Sequence, residues 1–594
     1  MPHHMKIKLT SRKIALSLIA IVMLAAANSG TLTSHAKAAK PRAQSSSRTP
    51  GFLTGAPENS TSVLYQGEHS AGCRASTPEE TRTITSRDQT RELHSITPPR
   101  LLSDNGLQII LRGTDNLEAN PKAKAAFLRA ADVWASHVQT PTTVIIDVDF
   151  GPTWFGDQFA QNVIGMTNPQ MLIGPDHYYT VLGRLMESAT NAHESALYNA
   201  LPNASPIPTD IGSTTWILAP SSVYRTLGLI AADPTTDPIH YGPPPAIGFN
   251  SAKDFDFDAS DGIDAGKIDF EAAAAHEIGH VLGFVSAVGQ REINPDCDLA
   301  VTVWDLFRLR PGNSMGGLAT SPRILSSGGA QVFFEGDSEL QLSTGRPDGT
   351  GGDGLQPSHW RDDSIVGERI GIMDPTMPPG VHQTVTFNDL EALDLFGYTI
   401  KPFGNNKPKI NSLAADLNGD VLTVTGSASD ADGDVVKVEA QFLDFKGHLL
   451  AQTAPFNADF GISTSLALNL RFTGLGGLPA ATQVAAVLID SHGNRSTSLS
   501  ADFSSGDPGA IKLVDAVYEK NALRIRGKRI TPDVQVEING VVISPSPDSV
   551  SVTPNGKKLI ITAPSDSLNL RGGANRIRLI SGGLRSSLLV VSLE

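Results

Sequence analysis

The five residues His276-Glu277-Ile278-Gly279-His280 put two imidazoles and a carboxylate within little more than one helical turn. At 3.6 residues per turn, side chains four apart project from one face of a helix. His276 and His280 can therefore bind one metal ion, with Glu277 displaced to the side next to an open coordination position. Such a set suits hydrolysis: zinc brings the pKa of a bound water near neutrality, and an adjacent carboxylate can take its proton and pass it to a leaving amine. A match this short also arises by chance on helices that do no chemistry, and two histidines alone hold zinc poorly, so a third ligand is required.

The local sequence is built to make that helix. Asp269 stands where an N-cap belongs, Glu271 lies in the favourable first turn, Ala272 to Ala275 are strong helix formers, and Gly283 stops the helix three residues after His280. Upstream, Leu107–Leu111 and Val144–Val148 read as strands, and Pro121 to Val138 carries Ala126, Phe127, Ala130, Trp134 and Val138 at helical spacing. Downstream, Asn388 and Glu391 suggest a capping-box start to a helix through Leu390, Leu393 and Phe396 that ends at Gly397. Beyond Gly397 helical periodicity gives way to short alternating segments separated by turn signals such as Asn418-Gly419 and Asp432-Gly433, which predicts β structure.

A chain of 594 residues exceeds what one core usually organises. Its net charge of -14 leaves no basic surface for phosphates, which argues against nucleic-acid partners. Lys6, Lys8, Arg12 and Lys13 precede an apolar run from Ile14 to about Ala27, with small residues after it, so 1–38 reads as a signal peptide and the chain as secreted, with no membrane contact once the signal is removed. Residues 39–104 are rich in Ser, Thr, Arg and Pro and read as a linker or pro-segment with weak structure of its own. The expected order is then an α+β catalytic domain at 105–401, an immunoglobulin-like β-sandwich at 402–505 and a second β-sandwich at 506–594.

His276-Glu277-Ile278-Gly279-His280-Val281-Leu282-Gly283-Phe284 resembles the opening of the metzincin zinc-metallopeptidase signature. The third histidine that this signature places three residues after its glycine is here Ser286. In leishmanolysin-like metzincins a long insertion intervenes and the histidine appears in a Ser-His-Trp-like context. This chain carries Ser358-His359-Trp360, with His359 79 residues after His280, followed by Gly371-Ile372-Met373-Asp374-Pro375, which resembles the metzincin Met-turn. The resemblance, over roughly 105–400, implies a metzincin-like catalytic fold holding one Zn2+ on His276, His280 and His359. It also implies Glu277 as general base, Met373 as an apolar floor beneath the ligands and Gly283 as the turn after the helix. The activity implied is endopeptidase cleavage of extracellular proteins or peptides. The last sandwich looks like the IPT/TIG type by pattern alone.

Several alternatives stay open at this level. Asp296, Asp298 and especially Asp305 are rival third ligands, while His177, His193, His240 and His382 lack ligand-like spacing. Ala246–Asn250 is the best candidate for the edge strand against which such enzymes lay their substrate. Cys73 and Cys297 can pair, remain free thiols, or, by the same resemblance, Cys73 can act as the pro-segment cysteine that blocks zinc. Asp254, Asp256, Asp258, Asp261, Asp264 and Asp269, and likewise Asp430, Asp432 and Asp434, have the oxygen density of a Ca2+ site or are solvated turn acids. An exported binding or adhesion protein with a vestigial protease domain, and a zinc hydrolase of non-peptide substrates, are the competing functions.

Overall fold

The computed structural model describes residues 52–593 apart from short stretches at 55–60, 68–69, 88–91, 99–105, 175, 260–261, 337, 347–350, 419–420, 445–446, 458–459, 474–480, 503–510, 544–545, 583 and 587. The signal-peptide expectation for 1–38 lies outside the described residues, as does Asp261. Among the described residues no helix is long and apolar enough to cross a membrane.

The N-terminal half is mixed α and β, organised on an eight-stranded sheet. Its strands are β1 (Ser62–Gln66), β2 (Ala71–Ala75), β3 (His94–Ser95), β4 (Gln108–Gly113), β5 (Thr143–Gly151), β6 (Val163–Asn168), β7 (Ala246–Asn250) and β8 (Thr376–Met377), in the spatial order β8-β2-β1-β6-β7-β5-β4-β3. The β4, β5 and β7 pairings are parallel; β6, β1, β2 and β8 continue the sheet antiparallel. Alternation along the strands sorts side chains between the two faces. Leu64, Cys73 and Ile164 point into the main core with helices α2 (Pro121–Ala135) and α3 (Phe270–Leu282). Val63, Val163 and Met166 face a smaller cluster closed by Ile84 of α1 (Pro78–Thr85) and Trp154.

Two expectations change here. Residues 62–75, within the stretch whose composition predicts a weakly structured linker, supply two strands of the sheet, with Val63, Leu64, Ala71 and Cys73 fully buried. Ser and Thr are the commonest residues of that stretch, but a few alternating apolar residues suffice once a sheet edge offers backbone partners. Ala246–Asn250 is no edge either: β7 lies between β5 and β6, and all five of its residues are buried.

Helix α3 forms as its sequence dictates. Asp269 caps it by accepting from the Ala272 amide at 3.1 Å, and Gly283, at φ 140°, ends it. A Cβ at that glycine would stand 2.7 Å from Phe396, so both the backbone angle and the packing need a residue without one. The alanine run lets α2 approach, and Trp134 of α2 donates its indole N–H to the Ala275 carbonyl at 2.9 Å. Phe127, Phe249 and Phe270 interlock between helices and sheet, with centroids 5.0–5.6 Å apart. Helix α4 (Phe387–Leu395) closes the half, capped by Thr386 and Asp389 rather than by Asn388 and Glu391.

Among the described residues the C-terminal half is mainly β, with two short 3-10 turns at Pro547–Ser549 and Asp566–Leu568. Strands β9 (Lys409–Asn418), β10 (Val421–Ser429) and β12 (Ser465–Thr473) face a sheet containing β11 (Val435–Leu443), β13 (Gln483–Asp490) and β14 (Leu499–Asp502). The last strand, β15 (Leu589–Leu593), does not stay within a separate sandwich; it pairs antiparallel with β9, so one sheet runs through both expected domains. Along β9, Leu413 faces the first core and Ala414 the second, and along β15 Val590 and Val591 divide the same way. A strand buried on both faces reads from sequence like any apolar strand, which is why the shared sheet is not visible there.

Candidate metal centre

The imidazoles of His276 and His280, on α3, and of His359, on the segment before Trp360, converge with their ring centroids 4.9–5.0 Å apart. All three are buried. Each Nδ1 is committed to a backbone carbonyl: His276 to Ile372 at 2.8 Å, His280 to Phe284 at 2.7 Å and His359 to Gln356 at 3.0 Å. A carbonyl only accepts, so the proton of each neutral ring sits on Nδ1 and each Nε2 presents a lone pair. Burial holds His276 and His359 well below the usual imidazole range and His280 down to about 4, so the rings stay neutral. His276 and His359 then aim two Nε2 lone pairs at each other across 3.0 Å, an arrangement that repels unless a cation lies between them. Zinc bound tetrahedrally at about 2.0–2.1 Å from nitrogen would set such separations at about 3.3 Å, so these residues fit that ion.

A fourth donor completes the group. Cys73 Sγ lies 3.8 Å from His280 Nε2, and suitable donor atoms of Cys73, His276, His280 and His359 all lie within 4.8 Å of one another. Both cysteines are free, so Cys73 does not bridge to Cys297. The Cys73 amide donates to the Pro375 carbonyl at 2.7 Å, and the β2–β8 pairing fixes the strand beside the histidines. Burial, followed by the Glu277 charge, pushes its thiol well above the ordinary range; a cation beside the sulphur would act in the opposite sense.

Glu277 is buried. Its Oε2 accepts from the Ser62 hydroxyl at 2.9 Å, whereas its Oε1 has no hydrogen-bond partner. Burial pushes its carboxyl up to about 7, with Thr167 and then Ser62 pulling the other way. Below the ligands, Met373 is fully buried, and a Cβ on Gly279 would meet its Sδ at 2.4 Å. The sulphur is thus packed directly under the helix between His276 and His280.

The turn carrying Met373 is held by Asp389, which sequence reasoning missed. Its carboxylate accepts from the Trp360 indole at 2.8 Å, the Ile372 amide at 2.8 Å and the Thr386 amide at 2.8 Å. It therefore ties the Ser358-His359-Trp360 segment, the turn and the start of α4 together. Only its position at the third residue of a capped helix hints at this. Ser62 and Gln356 were missed as well, because neither lies in a motif.

Asp305 serves elsewhere. It accepts from Ser286 Oγ at 2.8 Å and the Ala287 amide at 2.7 Å, and pairs with buried Arg308 at 2.9 Å. Ser286, where the signature would have a histidine, is thereby part of a structural anchor. His382 braces the Asp269 cap at 2.6 Å, His193 binds the Glu335 carbonyl at 2.6 Å and His177 stacks on Phe52; none joins the cluster. Asp256 accepts from the Asp258 and Asp264 amides, and Asp264 pairs with Lys267 at 3.0 Å, the pattern of solvated turn acids.

No family model and no curated protein matches this chain. Solved structures that match in part include SGBP-B from a complex xyloglucan utilization locus in Bacteroides uniformis, at 10% identity and TM-score 0.14, covering 31% of this chain and 48% of that one. Another is Drosophila OTK, extracellular domains 3-5, at 13% identity and TM-score 0.11, covering 31% and 66%. The chain thus spans about half of the first and just under two thirds of the second, and at these scores the likeness carries no inference about fold or chemistry.

Proposed function

We propose that the chain is a secreted, zinc-dependent endopeptidase with a leishmanolysin-like metzincin centre, and that residues 62–75 hold it latent. The observation that carries this reading is the convergence of three Nδ1-anchored histidines beside a buried carboxylate that has one unpartnered oxygen. His276, His280 and His359 would hold the ion, with Cys73 as the fourth donor in the latent form. Zinc bound there supplies Lewis acidity and makes water acidic near neutral pH. Glu277 takes the proton on its free Oε1 and returns it to the leaving amine; a carboxyl pushed up to about 7 is matched to both tasks at neutral pH.

In the latent form β1 occupies the edge of β6, β2 lies between β1 and β8, and Ser62 holds the other oxygen of the base. Withdrawal of this hairpin frees Glu277, removes the thiol and exposes the β6 edge for main-chain pairing with an extended protein substrate. A vestigial protease domain would have no use for a buried, half-satisfied Glu277, whose cost only a reaction explains.

The test is digestion of casein or gelatin by the zinc-loaded chain, by Cys73→Ser and by Glu277→Ala, with zinc measured on each. Cys73→Ser is expected to digest and Glu277→Ala to retain zinc and digest nothing. Failure of Cys73→Ser, zinc-loaded and folded, to digest anything that Glu277→Ala spares would overturn the proposal. His359→Ala should lose the ion, while Asp305→Ala keeps it.

A further inference from the structure

A second group of oxygens gathers far from the histidines in sequence, at one end of the first sandwich. The turn Asp430-Ala431-Asp432-Gly433-Asp434, between β10 and β11, brings three carboxylates together with suitable oxygens within 4.8 Å of one another. Asp434 also belongs to a group with Asp490 and His492 from the turn after β13, again within 4.8 Å. Asp430, Asp434 and Asp490 are at most 2% exposed.

Partners account for only part of this carboxylate set. Asp432 accepts from the Asn406 amide and side chain at 2.5 and 2.8 Å, and Asp490 from the Asn494 amide and side chain at 2.7 and 2.8 Å. One oxygen of Asp434 accepts from Ser491 and faces the exposed His492 imidazole at 3.3 Å. The remaining oxygens, Asp430 Oδ2 and Asp434 Oδ1, are buried without any hydrogen-bond partner. Two unsatisfied carboxylate oxygens in a cluster of three acids cost several kcal/mol unless a positive charge meets them, by the order-of-magnitude penalty for buried ionised groups. Burial, then the neighbouring Asp434 and Asp432, pushes Asp430 up to about 6, the signature of like charges crowded without a counter-ion.

We infer that Asp430, Asp432 and Asp434 form a calcium site, with Asp490 beside it adding to its negative charge. The donors are hard oxygens on one short turn, which favours an ion that accepts several carboxylates in irregular geometry over magnesium, which demands an octahedron, and over metals that prefer nitrogen or sulphur.

The position of the site gives it a consequence. Asn405 and Asn406, in the connection between the two halves, bond to Asn494 and Asp432. The Gly433 carbonyl accepts from Ser463 and the Asp430 amide donates to Thr464, while the adjacent Ile462 amide bonds to Val385 just before α4. Calcium would therefore stiffen the connection between the halves and the sandwich loop that contacts Val385 of the half carrying the histidines. This inference is independent of the peptidase reading.

The experiment uses the full chain, freed of calcium by dialysis with zinc present throughout. Calorimetric titration should show saturable calcium binding, weakened at least tenfold by Asp434→Asn and unchanged by Asp264→Asn. Calcium should also slow limited proteolysis between residues 402 and 408 and raise the melting temperature more than equal magnesium does. If Asp434→Asn does not fold by circular dichroism, Asp432→Asn replaces it, because Asp432 is only partly buried. Absence of saturable binding by the folded wild type, binding indifferent to the substitution, or an equal response to magnesium would overturn the assignment.

Discussion

Replacing Gly279 by alanine tests whether Met373 is the packed floor of the centre. The added methyl carbon would stand 2.4 Å from Met373 Sδ and 3.3 Å from Trp134 Cζ2. A relaxed contact needs about 3.8 Å, so the sulphur would have to retreat by about 1.4 Å. Met373, Trp134 and Ile278 are all fully buried, which leaves little room for that retreat even to a flexible thioether. Overpacking of this kind costs about 1–3 kcal/mol. The gain in helix propensity from glycine to alanine offsets up to about 1 kcal/mol. The net loss, up to about 2 kcal/mol, lowers the melting temperature by roughly a few °C for a unit of this size. Calorimetry on Gly279→Ala, Met373→Ala and the double variant would measure it. The double variant should be less destabilised than the two single losses added together, because removing the thioether makes room for the methyl. Strict additivity, or a Gly279→Ala chain as stable as wild type with unchanged zinc affinity, would refute the packing argument.

Asp389→Ala strands three buried donors, from Trp360, Ile372 and Thr386, at about 1–3 kcal/mol each, so it should unfold or lose zinc at concentrations where wild type keeps it; an unchanged thermal melt would contradict the role given to it. Because burial raises the Glu277 carboxyl to about 7 and a base must be ionised, kcat/KM of Cys73→Ser should fall tenfold per pH unit below its acid limb. A neighbouring cation only lowers that pKa, so the limb belongs at or below pH 7, and a limb above 7 would exclude Glu277 as the group titrating. Mild alkylation should leave Cys73 unmodified while zinc is bound, and label Cys297, which is partly exposed, first; the reverse order would place Cys73 away from the ligands.

The helix and its caps could be read from sequence because every local preference there agrees: Asp269 caps, alanines propagate and Gly283 terminates. His359 and Met373 lie near the helix histidines in the fold, and only the resemblance of short motifs links them in the sequence, since 79 residues separate His359 from His280 and spacing alone says nothing across such a gap. Where the reading fell short, long-range pairing decided. Nothing local in Ser62–Ala75 reveals that it completes the sheet by covering the β6 edge, and nothing local in Ala246–Asn250 reveals that β5 and β6 flank it on both sides. Asp389 looks like one more helix cap until Trp360 and Ile372 arrive from other segments to share its carboxylate. Likewise β15 returns to pair with β9 across more than 170 intervening residues, a partnership that alternation within either strand cannot announce.

The central claim is that one zinc ion is shared by His276, His280 and His359, and zinc-edge anomalous diffraction from crystals of the purified chain tests it without reference to any substrate. A single strong anomalous peak bounded by the three Nε2 atoms and Cys73 Sγ is expected, retained in Glu277→Ala and absent in His359→Ala. A folded, zinc-supplied chain with no peak among these atoms, or a peak that persists when His359 is removed, would contradict it.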